Sequence, residues 1–160
     1  MIDWLPELVL LEDACGIWET FLEIVYGYYQ DDFIFNEVRF RDVPVHRRRE
    51  PISEGKEKSF WHLVSSGDIE ESRNIEISRC ERIRWPRPII EHDDSDGLWI
   101  WKNHRKSEER ILIYIPELRY LVVLGIRRDY YMLCTAYCIE ESHRHERLQQ
   151  EYLDYMHKNS

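Results

Sequence analysis

Leu98-Trp-Ile-Trp-Lys102, Arg110-Ile-Leu-Ile-Tyr-Ile115, Tyr120-Leu-Val-Val-Leu-Gly-Ile126 and Tyr130-Tyr-Met-Leu-Cys-Thr-Ala-Tyr-Cys-Ile139 decide how this chain folds. All four are dense in β-branched and aromatic residues, the types that fit a pleated, half-buried surface. Between them stand a charged loop (His104–Glu109), Pro116-Glu-Leu-Arg119 and Arg127-Arg-Asp129. Connections this short join neighbours as hairpins, so the stretch Leu98–Glu141 predicts a four-stranded antiparallel meander. Strict alternation along the last strand puts Tyr131, Leu133, Thr135, Tyr137 and Ile139 on one face. Met132, Cys134, Ala136 and Cys138 then take the other, where small residues suit helices lying close.

Outward from the meander, the chain reads as helical on both sides. Ile17, Trp18, Phe21, Leu22, Ile24, Val25, Tyr28 and Tyr29 recur at helical spacing with a broad buried stripe. Glu37–His46 alternates loosely, an edge strand or hairpin with Pro44 restricting it to an edge. Asn74 caps a helix expected from Ile75 to about Trp85, stopped by Pro86. Arg79 and Arg82 fall together on one side of that helix. Leu148, Tyr152, Tyr155 and Met156 give the closing helix, Glu141–His157, one narrow apolar side. The order predicts an α+β fold: N-terminal helices packed on a four-stranded meander and closed by a C-terminal helix. At 160 residues it reads as one domain. Within it, 1–37 is an acidic helical segment, 56–140 a core and 141–160 the final helix.

The net charge of −9 is unevenly distributed. Residues 1–37 hold nine acids and no Lys or Arg, while residues 38–160 hold 22 of each. An acidic chain ordinarily argues against a nucleic-acid partner, but here the remainder is balanced and carries basic clusters. One is Arg39, Arg41, Arg47, Arg48 and Arg49, readable as a solvated loop or as a phosphate-facing patch. The other is Arg79–Arg87. No apolar run approaches membrane-spanning length and the N-terminus lacks a signal-peptide pattern, so the cytoplasm is the expected compartment.

Cys134 and Cys138 lie roughly 13 Å apart along a strand, too far for a disulfide or for shared zinc ligation. His143 and His145, two apart at a helix start, point to different sides. No metal or cofactor is expected. No glycine-rich phosphate loop, G-x-S-x-G elbow or H-E-x-x-H motif is present. His62, alone in the apolar run Phe60–Val64, reads as a core histidine or as a proton-transfer group. Thr135 and Tyr137 point the same way from the last strand.

A helical first half, an early His62, an arginine-bearing helix and a meander ending in Thr135-Ala-Tyr137 resemble the barnase–EndoU–colicin–RelE superfamily of RNases. The similarity is to its phage and mobile-element branch and covers roughly residues 56–140. The resemblance implies a metal-independent, toxin-like RNA endonuclease with His62, Arg82, Thr135 and Tyr137 as catalytic residues. Arg79 would substitute for Arg82, and Arg47, Arg48, Arg49, Arg79 and Lys102 would bind RNA. The chemistry fits those residue types: attack of a ribose 2′-OH on its neighbouring phosphate needs proton transfer and a cation on the phosphate. Family members are usually basic, and the acidic segment departs from that pattern. It leaves open a non-catalytic mobile-element accessory protein, or an immunity-like partner whose acidic segment meets a basic protein surface.

Overall fold

The computed structural model describes residues 2–160. Strands β1 (Val38–Phe40) and β2 (Val43–His46) form a hairpin, and β3 (Ser65–Ser66) pairs with β4 (Asn74–Ile75) in a small separate ribbon. The meander consists of β5 (Trp99–Arg105), β6 (Glu108–Ile115), β7 (Tyr120–Ile126) and β8 (Tyr131–Cys138). Helices are α1 (Trp18–Tyr29), α2 (Lys58–Val64), α3 (Ile77–Glu81), α4 (Pro86–Glu91) and α5 (Ser142–Lys158).

The meander is present, and the sheet is larger than four strands. The β1–β2 hairpin extends it to the order β1-β2-β8-β7-β6-β5. β2 joins β8 in parallel through Val45 opposite Tyr131 and His46 opposite Met132. Pro44 therefore lies in an interior strand, not at an edge. It is tolerated because it precedes the two residues of β2 that meet β8. The charged 104–109 loop shrinks to a Lys106-Ser107 turn, with Lys106 in the left-handed region at φ 58°.

The helix expected over 75–85 is two shorter elements. Asn74 and Ile75 are strand, α3 covers only Ile77–Glu81, and Pro86 starts α4 at its first position rather than merely ending a helix. A proline at that position loses no hydrogen bond that the helix would have made.

Each face of the sheet has its own core. Ile111, Ile113, Ile115, Tyr120, Val122, Leu124, Leu133 and Ala136 pack with Phe21, Val25, Tyr29, Phe60, Ile83 and Ile89 from the helices. Trp101, Leu112, Tyr114, Leu121, Val123 and Ile139 meet the apolar side of α5 through Leu148, Tyr152 and Tyr155. Trp99 stacks on Tyr152 at 5.1 Å between centroids, and Trp101 donates its indole N–H to Glu151 at 2.7 Å.

β8 does not alternate throughout. Val123 faces Thr135 while Leu124 faces Leu133, so Cys134 is an extra residue opposite no partner. This bulge reverses the pleat. Tyr131 and Leu133 belong to the helix-packed core with Ala136, whereas Cys134, Thr135, Tyr137 and Ile139 look to the other side. The face expected from strict alternation is thus split, although Thr135 and Tyr137 stay together.

The acidic segment packs on the helical face, and it carries a pH-sensitive carboxyl. Burial raises Asp32 to about 6, outweighing Arg87 at 3.7 Å. A raised carboxyl stabilises the fold fully below its unfolded value near 3.8, and that contribution is lost as pH rises through about 6. Asp32→Asn is expected to raise stability by about 1–3 kcal/mol at pH 7 and by little at pH 4, read from urea unfolding at both.

Candidate functional site

α5 leaves part of its face of the sheet open, and the opening is a cleft of about 920 Å³. The floor crosses the meander: Thr135 stands opposite Val123, Val123 opposite Leu112, and one pleat further Arg110 stands opposite Asn103. One wall is α5, with Arg144, Arg147 and Leu148. The other comprises His62, the Ser66-Gly67-Asp68 loop, Arg73, and Glu76, Ser78 and Arg79 at the start of α3. None of the lining residues comes from the acidic segment. Six arginines face five carboxylates there, a local positive excess on a chain of net charge −9.

His62 reaches the cleft because the upper half of β8 lacks a strand neighbour. β2 ends at His46, opposite Met132, and α2 takes its place beside β8, with Thr135 donating its hydroxyl proton to the His62 carbonyl at 3.0 Å. The imidazole is half-buried, and its Nε2 lies 2.8 Å from Glu70 Oε2. Burial pushes the imidazole below its ordinary value, against the opposing pull of Glu70. Burial would raise Glu70, but the His62 hydrogen bond and the charges of His62, Lys58 and Arg73 outweigh it and hold Glu70 below its usual range. An ionised carboxylate can only accept, so Nε2 carries the proton and Nδ1 keeps the lone pair.

The loop bearing Glu70 is held by Arg73. Its guanidinium donates to the Ser65 hydroxyl at 2.9 Å, the Ser65 carbonyl at 2.7 Å and the Gly67 carbonyl at 2.8 Å. Arg79 donates to the same Ser65 carbonyl at 2.7 Å, which fixes the two guanidiniums side by side. Arg79 Nε also lies 2.9 Å from Glu76 Oε2, too bent for a hydrogen bond, so that buried oxygen remains unsatisfied.

Tyr137 stands between cations from both walls. The guanidinium of Arg79 is 4.7 Å from its ring centre and that of Arg144 is 5.4 Å away. Arg144 also donates to the phenol oxygen at 2.8 Å. The phenol is thereby clamped between the two walls of the cleft.

Of the residues singled out from sequence, His62, Arg79, Thr135 and Tyr137 line one cleft, and Arg82 does not. α3 ends before Arg82, whose backbone leaves helical geometry and whose guanidinium turns to the Ser78 carbonyl at 2.9 Å and over Trp85. The 47–49 arginines are also outside it. Arg47 is spent on the buried Glu57 at 2.8 Å, Arg48 is half-buried beside Ser59, and exposed Arg49 lies 3.6 Å from Glu57. Lys102 is exposed between Trp101 and Asn103, so alternation aims it away from the cleft. Thr135 has its proton committed to His62, so it holds α2 in place and offers the cleft only lone pairs.

Glu70, Arg73, Arg144 and Arg147 were not singled out from sequence. Nothing in the polar 66–73 loop marks Glu70 as the partner of His62, and the charged side of α5 looks like any solvated helix face. Among the described residues, no group of three or more His, Cys, Asp or Glu is placed to hold a metal ion, and no helix is long and apolar enough to cross a membrane. Compared with known proteins, the chain matches no family model, no curated protein and no solved structure.

Proposed function

We propose that this protein is a metal-independent RNA endonuclease that cleaves by attack of a ribose 2′-OH on the adjacent phosphate. The observation that carries the reading is His62. A largely neutral imidazole, its tautomer set by Glu70, opens into the same cleft as Arg79 and Tyr137. Nδ1 removes the 2′-hydroxyl proton, and the oxygen attacks phosphorus. The bond from phosphorus to the 5′-oxygen breaks as that oxygen takes the Tyr137 phenol proton. The products are a 2′,3′-cyclic phosphate and a 5′-hydroxyl. Arg79 faces the charge gathering on the phosphate, and with Arg144 it stabilises the phenolate until solvent returns the proton from His62.

Purified protein incubated with tRNA or mRNA in EDTA is expected to yield fragments ending in cyclic phosphate. Intact RNA across buffers from pH 5 to 9 would remove the enzyme reading. A second reading, a non-catalytic nucleic-acid-binding accessory protein, draws on one observation. Arg73 and Thr135 already spend donors on the protein itself. RNA bound but never cut would favour it.

A further inference from the structure

The cleft is much longer than the reaction needs. His62, Arg79, Thr135 and Tyr137 gather at its β8 end, yet the floor continues across β7 and β6 to Asn103 and Arg105 on β5. Three strand spacings make that roughly 14 Å. The far end has its own chemistry. Arg105, from the last position of β5, and Arg147, from α5, are exposed cleft residues whose side chains make no ion pair or hydrogen bond to any described residue. Arg110, between them and the reactive end, gives only Nε to Asn103, at 3.1 Å.

The contrast between the two ends is informative. Near β8 the guanidiniums are held by Ser65, Gly67 and Tyr137, an arrangement that fixes one phosphate. At the β5 end the side chains of Arg105 and Arg147 are unheld and keep their donors for an outside partner. Guanidiniums spaced along the walls suit a strand whose successive phosphates run along the rim.

We infer that Arg105, Arg110 and Arg147 form a second phosphate-binding subsite, which takes the backbone of single-stranded RNA flanking the cut. The protein would then prefer oligonucleotides to dinucleotides. This rests on the RNA reading of the cleft, so its test measures binding without cleavage.

The probes are fluorescent 2′-deoxy oligonucleotides, which cannot supply the attacking hydroxyl, two and eight residues long. Their affinity is followed by anisotropy against salt. Wild-type protein is expected to bind the octamer at least tenfold more tightly than the dimer. In R105Q/R147Q most of that gain should vanish. The slope of log affinity against log salt should become shallower by about 1.4, since each phosphate contact to a single strand contributes about 0.7. A double variant with the wild-type octamer affinity and slope overturns the subsite but leaves the RNA reading standing. Wild-type protein that binds neither probe overturns both. Circular dichroism of the variant guards against misfolding, and these two exposed side chains support no part of the core.

Discussion

His62→Ala is expected to lower RNA cleavage about a thousandfold, within the range that proton transfer by a positioned side chain contributes. Its fold should survive. The ring is only half-buried and bonds to Glu70, itself exposed, so the loss in unfolding free energy should be about 1 kcal/mol. The wild-type pH profile carries the sharper test. A base must be neutral to act, and burial holds His62 below 6.5. The acid limb of kcat/KM should therefore have its midpoint below 6.5, with activity lost as pH falls through it. Glu70 opposes the effect of burial, so Glu70→Gln removes a charge that favours the imidazolium. Its limb should move to still lower pH. A limb that stays put in Glu70→Gln, or one lying above 7 in the wild type, would show that His62 is not the titrating base.

Glu57→Ala is expected to cost about 3–5 kcal/mol of folding stability. Glu57 occupies the position just before α2, its side chain only 8% exposed and turned to Arg47 and Tyr29 rather than to the helix end. It accepts from Arg47 Nε at 2.8 Å and from the Tyr29 hydroxyl at 2.8 Å. Burial and the Glu57 charge raise Tyr29 well above the ordinary phenol range, so it stays a donor at any working pH. Truncation leaves that phenol proton without an acceptor in a fully buried site. Glu57→Gln keeps an acceptor and should cost about half as much. Urea unfolding monitored by tryptophan fluorescence measures both. A loss below 1 kcal/mol for Glu57→Ala would mean that water replaces the carboxylate. Because α2 also carries His62, the same variant should lose activity in proportion to its unfolded fraction and no faster.

Much of the scaffold was readable in advance because its signals are local. Ile111, Leu112 and Ile113 alternate between two cores, as do Leu121, Val122 and Val123, and the turn residues between strands lie a few positions away. The bulge was not readable. Met132–Cys138 alternates cleanly as a string of letters, and Cys134 becomes supernumerary only once Val123 and Leu124 choose partners on either side of it. The parallel join of β2 to β8 is hidden for a similar reason, since it links residues some 85 positions apart. Arg79 and Arg82 look equivalent in sequence because three residues separate them on an expected helix. That equivalence fails where the helix stops at Glu81. His62, Thr135 and Tyr137 were found through residue type. The far wall was missed because periodicity says that α5 has an apolar side, but not which of its charged residues then overlook the sheet.

The placement of the acidic segment behind the sheet has a consequence for encounter rather than for chemistry. Eight of its nine carboxylates are exposed, on the face opposite the arginine-lined opening. A polyanion approaching that segment meets repulsion, whereas one approaching the cleft meets a local positive excess, which favours one orientation before contact. Productive collisions would therefore be favoured in dilute salt and would lose that guidance as ions screen the field over about a nanometre.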